Sequence, residues 1–472
     1  MSENAWWKEA VVYQIYPRSF QDSDGNGIGD LRGIEQRLDY LVDLGVDAFW
    51  LSPINESPNA DWGYDVSDHR AIHPDFGTLD DFDSLVEAAH RRGVRVLLDL
   101  IPSHTSIEHP WFRERPDWYT WADEPPNNWL AAFGGRAWSL DKQTGRYYLH
   151  SFYPEQPDLD WRNPDVREAI ADVVTYWRGR GVDGFRVDAV DRLSKDPELR
   201  DDPPRTAPGL LPLPDEYGSL LHLHSRNAPG IEDLLLSLRE AAGDAFLVGE
   251  VYRPTGELQP YLAAFDLLFA FEFMHADWRA GCFAEVLGPA WALGCMAWVL
   301  SNHDFTRLAS RVGDENVKLA AALQLTLPGT AFVYQGDELG LHDGPGADPP
   351  FDRAGRDRAR HPMQWDSTPG AGFSTGQAWL PPVDPERRSV SGQLGDSSSV
   401  LESYRELIRL RRSFGPGFEL LGGSGDVLAF RRGRHEVRLN FGEAEQPLPA
   451  GDVLWASEPG DSLAPHGAVV AR

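Results

Sequence analysis

Cysteine is nearly absent from this chain: 472 residues contain two, Cys282 and Cys295. That is too few for a disulfide framework, so the fold must rest on a packed core, and both thiols are expected to be reduced and structural. Positive charge is also scarce. There are 44 lysines and arginines against 73 aspartates and glutamates, a formal net charge of −29. Such a surface repels nucleic-acid phosphates and anionic lipid, leaving neutral or cationic partners. No run is long and apolar enough to span a bilayer. The opening residues, MSENAWWKEAVVYQIYP, lack the basic-then-apolar pattern of a secretory signal. The expectation is a cytoplasmic protein with no nucleic-acid or membrane partner and a substrate small enough to be imported.

What the chain does have is ordinary globular composition, 42% hydrophobic and 25% charged, and a length suited to a large barrel with attachments. Short β-branched and aromatic runs alternate with amphipathic helical segments. The expected strands are Val11–Tyr16, Ala48–Ser52, Val94–Ile101, Gly184–Ala189, Ala245–Val251, Leu268–Phe273, Ala297–Asn302 and Ala331–Gln335. Several are apolar at nearly every position, as parallel strands buried on both faces must be. Helices are expected at Ile34–Leu44, Leu79–Arg92, Val166–Arg178, Ile231–Ala242, Val317–Leu327 and Val400–Arg412. Eight strands alternating with helices predict an α/β fold, a (β/α)₈ barrel. Asp99, Arg186, Asp188, Glu250, His303 and Asp304 stand at or near the C-terminal ends of apolar runs, the end at which such barrels build active sites.

Two segments break the alternation. Ser103–Arg162, rich in Trp, Pro and Asn, is too long for a plain loop and reads as an inserted subdomain over the barrel mouth. Ser194–Pro229, rich in Pro and charge, reads as a mobile surface excursion. The tail, with runs such as VLAFRR and EVRLNF, reads as a small β domain. The expected division is a barrel in two parts, residues 1–103 and 173–412, a subdomain at 104–172, and a C-terminal β domain at 413–472.

DLIPSH (Asp99–His104), GFRVDAV (Gly184–Val190), VGEV (Val248–Val251) and SNHD (Ser301–Asp304) occur in this order. Their order and content resemble the four core motifs of the α-amylase superfamily of glycoside hydrolases. VDAFWLSP, QPDLDWRNP and GTAFVYQGDELG extend the resemblance to about Gly376, and QPDLD with HPMQWD narrows it to the oligo-1,6-glucosidase and α-glucosidase branch. The resemblance implies Asp188 as nucleophile, Glu250 as acid/base and Asp304 as transition-state stabiliser. The chemistry agrees. Retention needs a nucleophile and an acid roughly 5–5.5 Å apart. Arg186 and Asp188, two apart on a strand, share a face, so a guanidinium can keep Asp188 ionised. Glu250 follows the apolar AFLV, where burial can hold a proton on it.

The resemblance also places His104 and His303 on the first sugar. Asp61 and Arg360, with Arg356 and Arg358 as the alternatives for the arginine, would close the subsite beyond the terminal sugar, with Tyr64 beneath the ring, which implies removal of single glucose units from the non-reducing end. Ala189, next to the nucleophile, stands where valine accompanies α-1,6 preference and small residues α-1,4, so α-1,4 is favoured. The resulting expectation is a retaining exo-α-glucosidase for maltose-like substrates. The alternatives are an oligo-1,6-glucosidase, or a glucosyltransferase, isomerase or phosphorylase with the same site. Departures from the family pattern are Ser103 and Asp160, where asparagine is usual, and Arg192 in place of a plus-one-subsite residue.

DSDGNGIGD (Asp22–Asp30) presents oxygen donors at alternate positions with glycines for the turn, which is hard-cation chemistry. By the resemblance Asp22, Asp24, Asn26, Asp30 and the Ile28 carbonyl bind a structural Ca²⁺; no organic cofactor is expected. The His222/His224 pair lacks a third ligand for zinc.

Overall fold

The structure is a computed structural model that describes residues 5–206, 216–423 and 425–472. Eight strands form a closed barrel: β1 (Val11–Ile15), β2 (Ala48–Leu51), β3 (Arg95–Leu100), β4 (Gly184–Val187), β5 (Phe246–Gly249), β6 (Leu267–Phe269), β7 (Met296–Val299) and β8 (Thr330–Tyr334). Their order is β1-β8-β7-β6-β5-β4-β3-β2, and β1–β8, β7–β8, β5–β6, β4–β5 and β3–β4 pair in parallel. All are buried along essentially their whole length, as their unbroken apolar runs require.

The chain divides into two compact units, one made of Met1–Trp50, Glu87–Arg95 and Ala270–Arg472, the other of Leu51–Val86 and Val96–Phe269. The second holds β3 to β6 and the insertion after β3. That insertion has its own antiparallel sheet, Trp121–Ala122, Trp138–Asp141 and Arg146–Leu149, around a core of Trp129, Ala137, Trp138 and Leu149. The expected boundary at residue 172 falls inside a helix, Pro164–Gly179, which Asn163 caps through the Asp165 amide; a capped helix is not a place where a domain ends. The expected mobile excursion is also corrected over its described residues. Asn128 exchanges hydrogen bonds with Asp202, the Trp129 indole donates to the Arg200 carbonyl at 2.8 Å, and His222, Ser225 and Arg226 are buried. Its residues 207–215 lie outside the description.

The first unit carries the tail. Its sheet of β9 (Phe418–Gly422), β10 (Val427–Arg432), β11 (His435–Asn440), β12 (Val453–Ala456) and β13 (Ala468–Ala471) is antiparallel in the order β9-β10-β11-β13-β12. Two element expectations change. The helix expected at Ile34–Leu44 is two, Leu31–Gln36 and Leu38–Leu44, broken at Arg37 (φ −103°, ψ 7°). The Arg37 side chain is drawn to Gln21 Oε1 at 2.6 Å and over the Trp365 ring. The strand expected at Leu268–Phe273 ends at Phe269, and Phe271–His275 is helical, since a short apolar run does not distinguish strand from buried helix. Cys282 and Cys295 are both free thiols. Among the described residues no helix is long and apolar enough to cross a membrane.

Candidate active site

Register builds the centre of the second unit. Asp99 on β3 lies beside Arg186 on β4, which lies beside Val248 on β5. Side chains at paired positions of parallel strands leave the same face, so Asp99 and Arg186 meet directly. Arg186 Nη1 donates to Asp99 Oδ1 at 2.6 Å and to Asp188 Oδ1 at 2.8 Å, and Nη2 pairs with Glu250 Oε1 at 2.7 Å. One guanidinium thus serves three carboxylates, all buried. Tyr64 closes the cluster: its hydroxyl donates to Asp99 Oδ2 at 3.1 Å and accepts from Arg186 Nη1 at 3.3 Å.

Burial works against the Arg186 charge, but Asp99, Glu250, Tyr64 and Asp188 together hold its pKa well above the usual value. Burial pushes Asp99 up to about 7 against the pull of Arg186, with Glu250 adding to the rise. Three buried carboxylates around one cation each raise the cost of ionising the others.

Around this centre, His104 is fully buried. Its Nδ1 meets the Ser103 hydroxyl at 2.8 Å and its Nε2 lies 3.0 Å from the Tyr64 carbonyl, while burial lowers its pKa and keeps the ring neutral. Ser103, where the family pattern has asparagine, is therefore a partner of the histidine. Gln156, on the insertion, donates from Nε2 to Asp61 Oδ2 at 2.9 Å and lies 3.1 Å from His104 Nε2. Asp61 is buried, its amide held by Asp65 Oδ1. Arg192 is buried with its guanidinium over the Phe152 and Tyr217 rings. Asp160, the other departure, pairs with Arg162 at 2.8 Å.

The first unit holds the remaining site residues. Gln14 Nε2 lies 2.7 Å from His303 Nδ1; with the amide donating, the ring N–H stands at Nε2, 3.5 Å from Asp304 Oδ2. The His303 ring stacks on Tyr16. Asp304 Oδ1 accepts from Arg360 Nη2 at 3.2 Å and also from Arg356 Nη1 at 3.1 Å. Arg356 is fixed by a two-pronged pair with Asp352, and Arg360 donates from Nε to the His303 carbonyl at 2.9 Å. Gln14 was not singled out from sequence, Gln156 stood there only as the first residue of QPDLD, and Arg356 only as an alternative to Arg360. Gln14 left a signal, a polar residue inside the apolar run VVYQI.

In the same unit the loop after β1 brings Asp22, Asp24 and Asp30 together, with one oxygen of each within 4.8 Å of the others. Asp22 accepts from the amides of Asp24, Gly25 and Gly27 and from the Ser374 hydroxyl. Burial opposes its charge, but these donors hold its pKa below the usual range. Asn26 Oδ1 accepts from the Ile28 amide at 2.8 Å. Gly27 (φ 91°) is required, since a Cβ there would lie 1.9 Å from the Gln377 carbonyl oxygen. The all-oxygen donor set suits a hard cation. His222 and His224 form no such site: His222 contacts Tyr217, Ser225 and Asp202, and His224 lies near Asp196.

A barrel of this topology with these strand-end carboxylates is matched over residues 14–415 by the family model described as alpha amylase, catalytic domain. The chain belongs to that family and is a glycoside hydrolase. Among its relatives, a probable alpha-glucosidase of Rhizobium meliloti (strain 1021) is 42% identical over 456 residues, 86% of this chain and 83% of the relative. An oligo-1,6-glucosidase of Parageobacillus thermoglucosidasius is 38% identical over 481 residues, 87% and 84%. Among solved structures, the alpha-glucosyl transfer enzyme XgtA is similar with a TM-score of 0.92 at 36% identity, covering 100% of both chains. The trehalulose synthase MutB from Pseudomonas mesoacidophila MX-45 gives 0.88 at 31%, covering 99% of both.

Proposed function

We propose that the protein is a retaining exo-α-glucosidase that releases glucose from the non-reducing end of short, maltose-like α-glucosides. The observation that carries this reading is Arg186, which binds the carboxylates of both Asp188 and Glu250. Two carboxylates on one guanidinium fit the short separation of a double displacement better than the wider one of an inverting enzyme. In the first step Asp188 attacks C1 while Glu250 gives its proton to the departing glycosidic oxygen; the C1–O bond breaks and an ester to Asp188 forms. In the second, Glu250 takes a proton from water, the water oxygen bonds C1, and Asp188 leaves. Asp304 is assigned by its motif to the positive charge at C1, and His104, His303, Asp61, Arg360 and Tyr64 to the terminal sugar. The small side chain of Ala189 favours α-1,4 over α-1,6.

Asp22, Asp24 and Asp30, with Asn26 and the Ile28 carbonyl, are the proposed holders of Ca²⁺, which would bind the loop's oxygens and bring the three carboxylates' charges to rest. The free thiols and acidic surface fit a cytoplasmic location. A second reading, transfer of glucose to another sugar, has one specific support: the likeness to a glucosyl transfer enzyme. Proton NMR during turnover of maltose and isomaltose tests both. α-Glucose appearing first, faster from maltose, is the expected result. Initial β-glucose overturns retention, and a dominant new oligosaccharide overturns hydrolysis.

A further inference from the structure

Ala189 has a left-handed backbone, φ 45° and ψ 46°, a conformation that residues with a Cβ resist and that usually falls to glycine, asparagine or aspartate. The site gains a specific arrangement from it. The Ala189 N–H donates to Glu250 Oε2 at 3.1 Å. The next amide, Val190 N–H, donates to the Glu250 carbonyl at 3.1 Å, and the Glu250 N–H donates to the Val187 carbonyl at 2.9 Å. The peptide planes on either side of the Ala189 Cα therefore grip the side chain and the main chain of one glutamate. An ordinary right-handed or extended backbone at 189 would turn one of those planes away. With Arg186 Nη2 on Oε1, each carboxyl oxygen has a donor from the segment that carries Asp188.

We propose that Ala189 is a positioning residue for proton transfer, its main-chain N–H fixing Oε2 of Glu250 against the turn that bears Asp188. The inference rests on the roles assigned to Asp188 and Glu250 above. When Glu250 gives its proton to the leaving oxygen, the carboxyl becomes a carboxylate, and an N–H already aimed at Oε2 binds that form more strongly. The contact thus strengthens as the transition state is approached, which is what accelerates a step. Its effect must grow with the leaving group's need for a proton. Residue 189 then acts on chemistry through its backbone, separately from any influence of its side chain on the bound sugar.

The test replaces Ala189 by lactic acid in the full-length chain, exchanging the amide for an ester and deleting only this N–H. Ala189→Gly serves as comparison, retaining the N–H and admitting φ above zero. For the ester, kcat/KM on maltose should fall about tenfold to a hundredfold, the effect of losing a hydrogen bond to a charged group. On α-glucosyl fluoride, whose fluoride leaves with little protonation, it should barely change, and Ala189→Gly should keep the wild-type ratio between the two substrates. Equal losses on both substrates, or none, overturn the proposal. Should the ester chain fail to fold, Ala189→Val, whose β-branched side chain resists this backbone, decides over aryl α-glucosides of one shape and graded leaving-group acidity: loss that grows as the phenol becomes less acidic supports the proposal, and equal loss across the series overturns it. A wild-type protein inactive on both substrates overturns the functional reading itself, whereas an active wild type without selective loss overturns this inference alone.

Discussion

Arg186 carries one positive charge among Asp99, Asp188 and Glu250, and the spacing of two between Arg186 and Asp188 made part of this legible in advance. The strand period alone puts both on one face. What sequence could not supply was the third dimension. Gln156 opens the QPDLD motif, yet its reach to Asp61 and His104, distant along the chain, shows only in the fold. The same holds for His109, an unremarked histidine that proves to be buried. Its Nδ1 accepts the Trp111 amide at the start of a short helix. Burial pushes its pKa down to about 4, against a weaker upward pull from Asp68. The folded protein therefore binds this proton less readily than the unfolded chain, in which histidine titrates near 6.5. Stability from the neutral ring is complete above about pH 6.5 and is lost as pH falls toward 4, at about 1.4 kcal/mol per pH unit. His109→Asn keeps an acceptor for the capped amide and removes this titration. In urea unfolding, wild type should lose about 2 kcal/mol more than the variant between pH 7 and pH 5; a constant difference between them would count against a buried neutral ring.

Elements were legible where period and punctuation agreed. The helix Ile231–Ala242 matches its expectation at both ends, and Gly45 ends its helix in the left-handed conformation (φ 94°) that a C-terminal glycine supplies. They were not legible where a distant side chain intervened, as at Arg37. The loop after β1 offers an element-scale test. If Asp22, Asp24 and Asp30 hold Ca²⁺, chelation should lower the melting temperature and leave turnover near 25 °C largely intact, since the loop bears no catalytic group; a melting temperature unmoved by chelator argues against a bound ion. A second test lies at the end of the helix Val317–Thr326. Arg411 is buried, and its guanidinium donates to the carbonyls of Leu325, Leu327 and Gly329. Arg432 on β10 adds donors to Thr326 and Leu327. Helix ends leave carbonyls without partners, and here two arginines supply them. Arg411→Met strands several at once and should cost about 3 kcal/mol or more. The exposed Arg412→Met should stay within about 0.5 kcal/mol, measured by the same urea titrations.

Taken as a whole, the molecule was legible in class because eight apolar runs alternate with helices and carry charged residues at the same ends, where a barrel builds its site. The boundary expected at residue 172 cuts the helix Pro164–Gly179, although the periodicity had already marked a helix at Val166–Arg178. Net charge gives a prediction at this scale. With −29 on 472 residues, self-repulsion opposes the compact state. Raising sodium chloride from about 20 mM to about 0.5 M screens it and should raise the melting temperature by a few degrees, while a fall would show that local ion pairs outweigh the net field. The barrel's closing seam has a consequence for synthesis. Val11 to Gln14 pair with Ala331 to Tyr334, so one side of the first strand waits unpaired until most of the chain has left the ribosome. Open strand edges are templates for other chains. A message cut short before Tyr334 would thus yield an adhesive fragment in place of a smaller enzyme, and the growing chain is a natural client for proteins that shield such edges during translation.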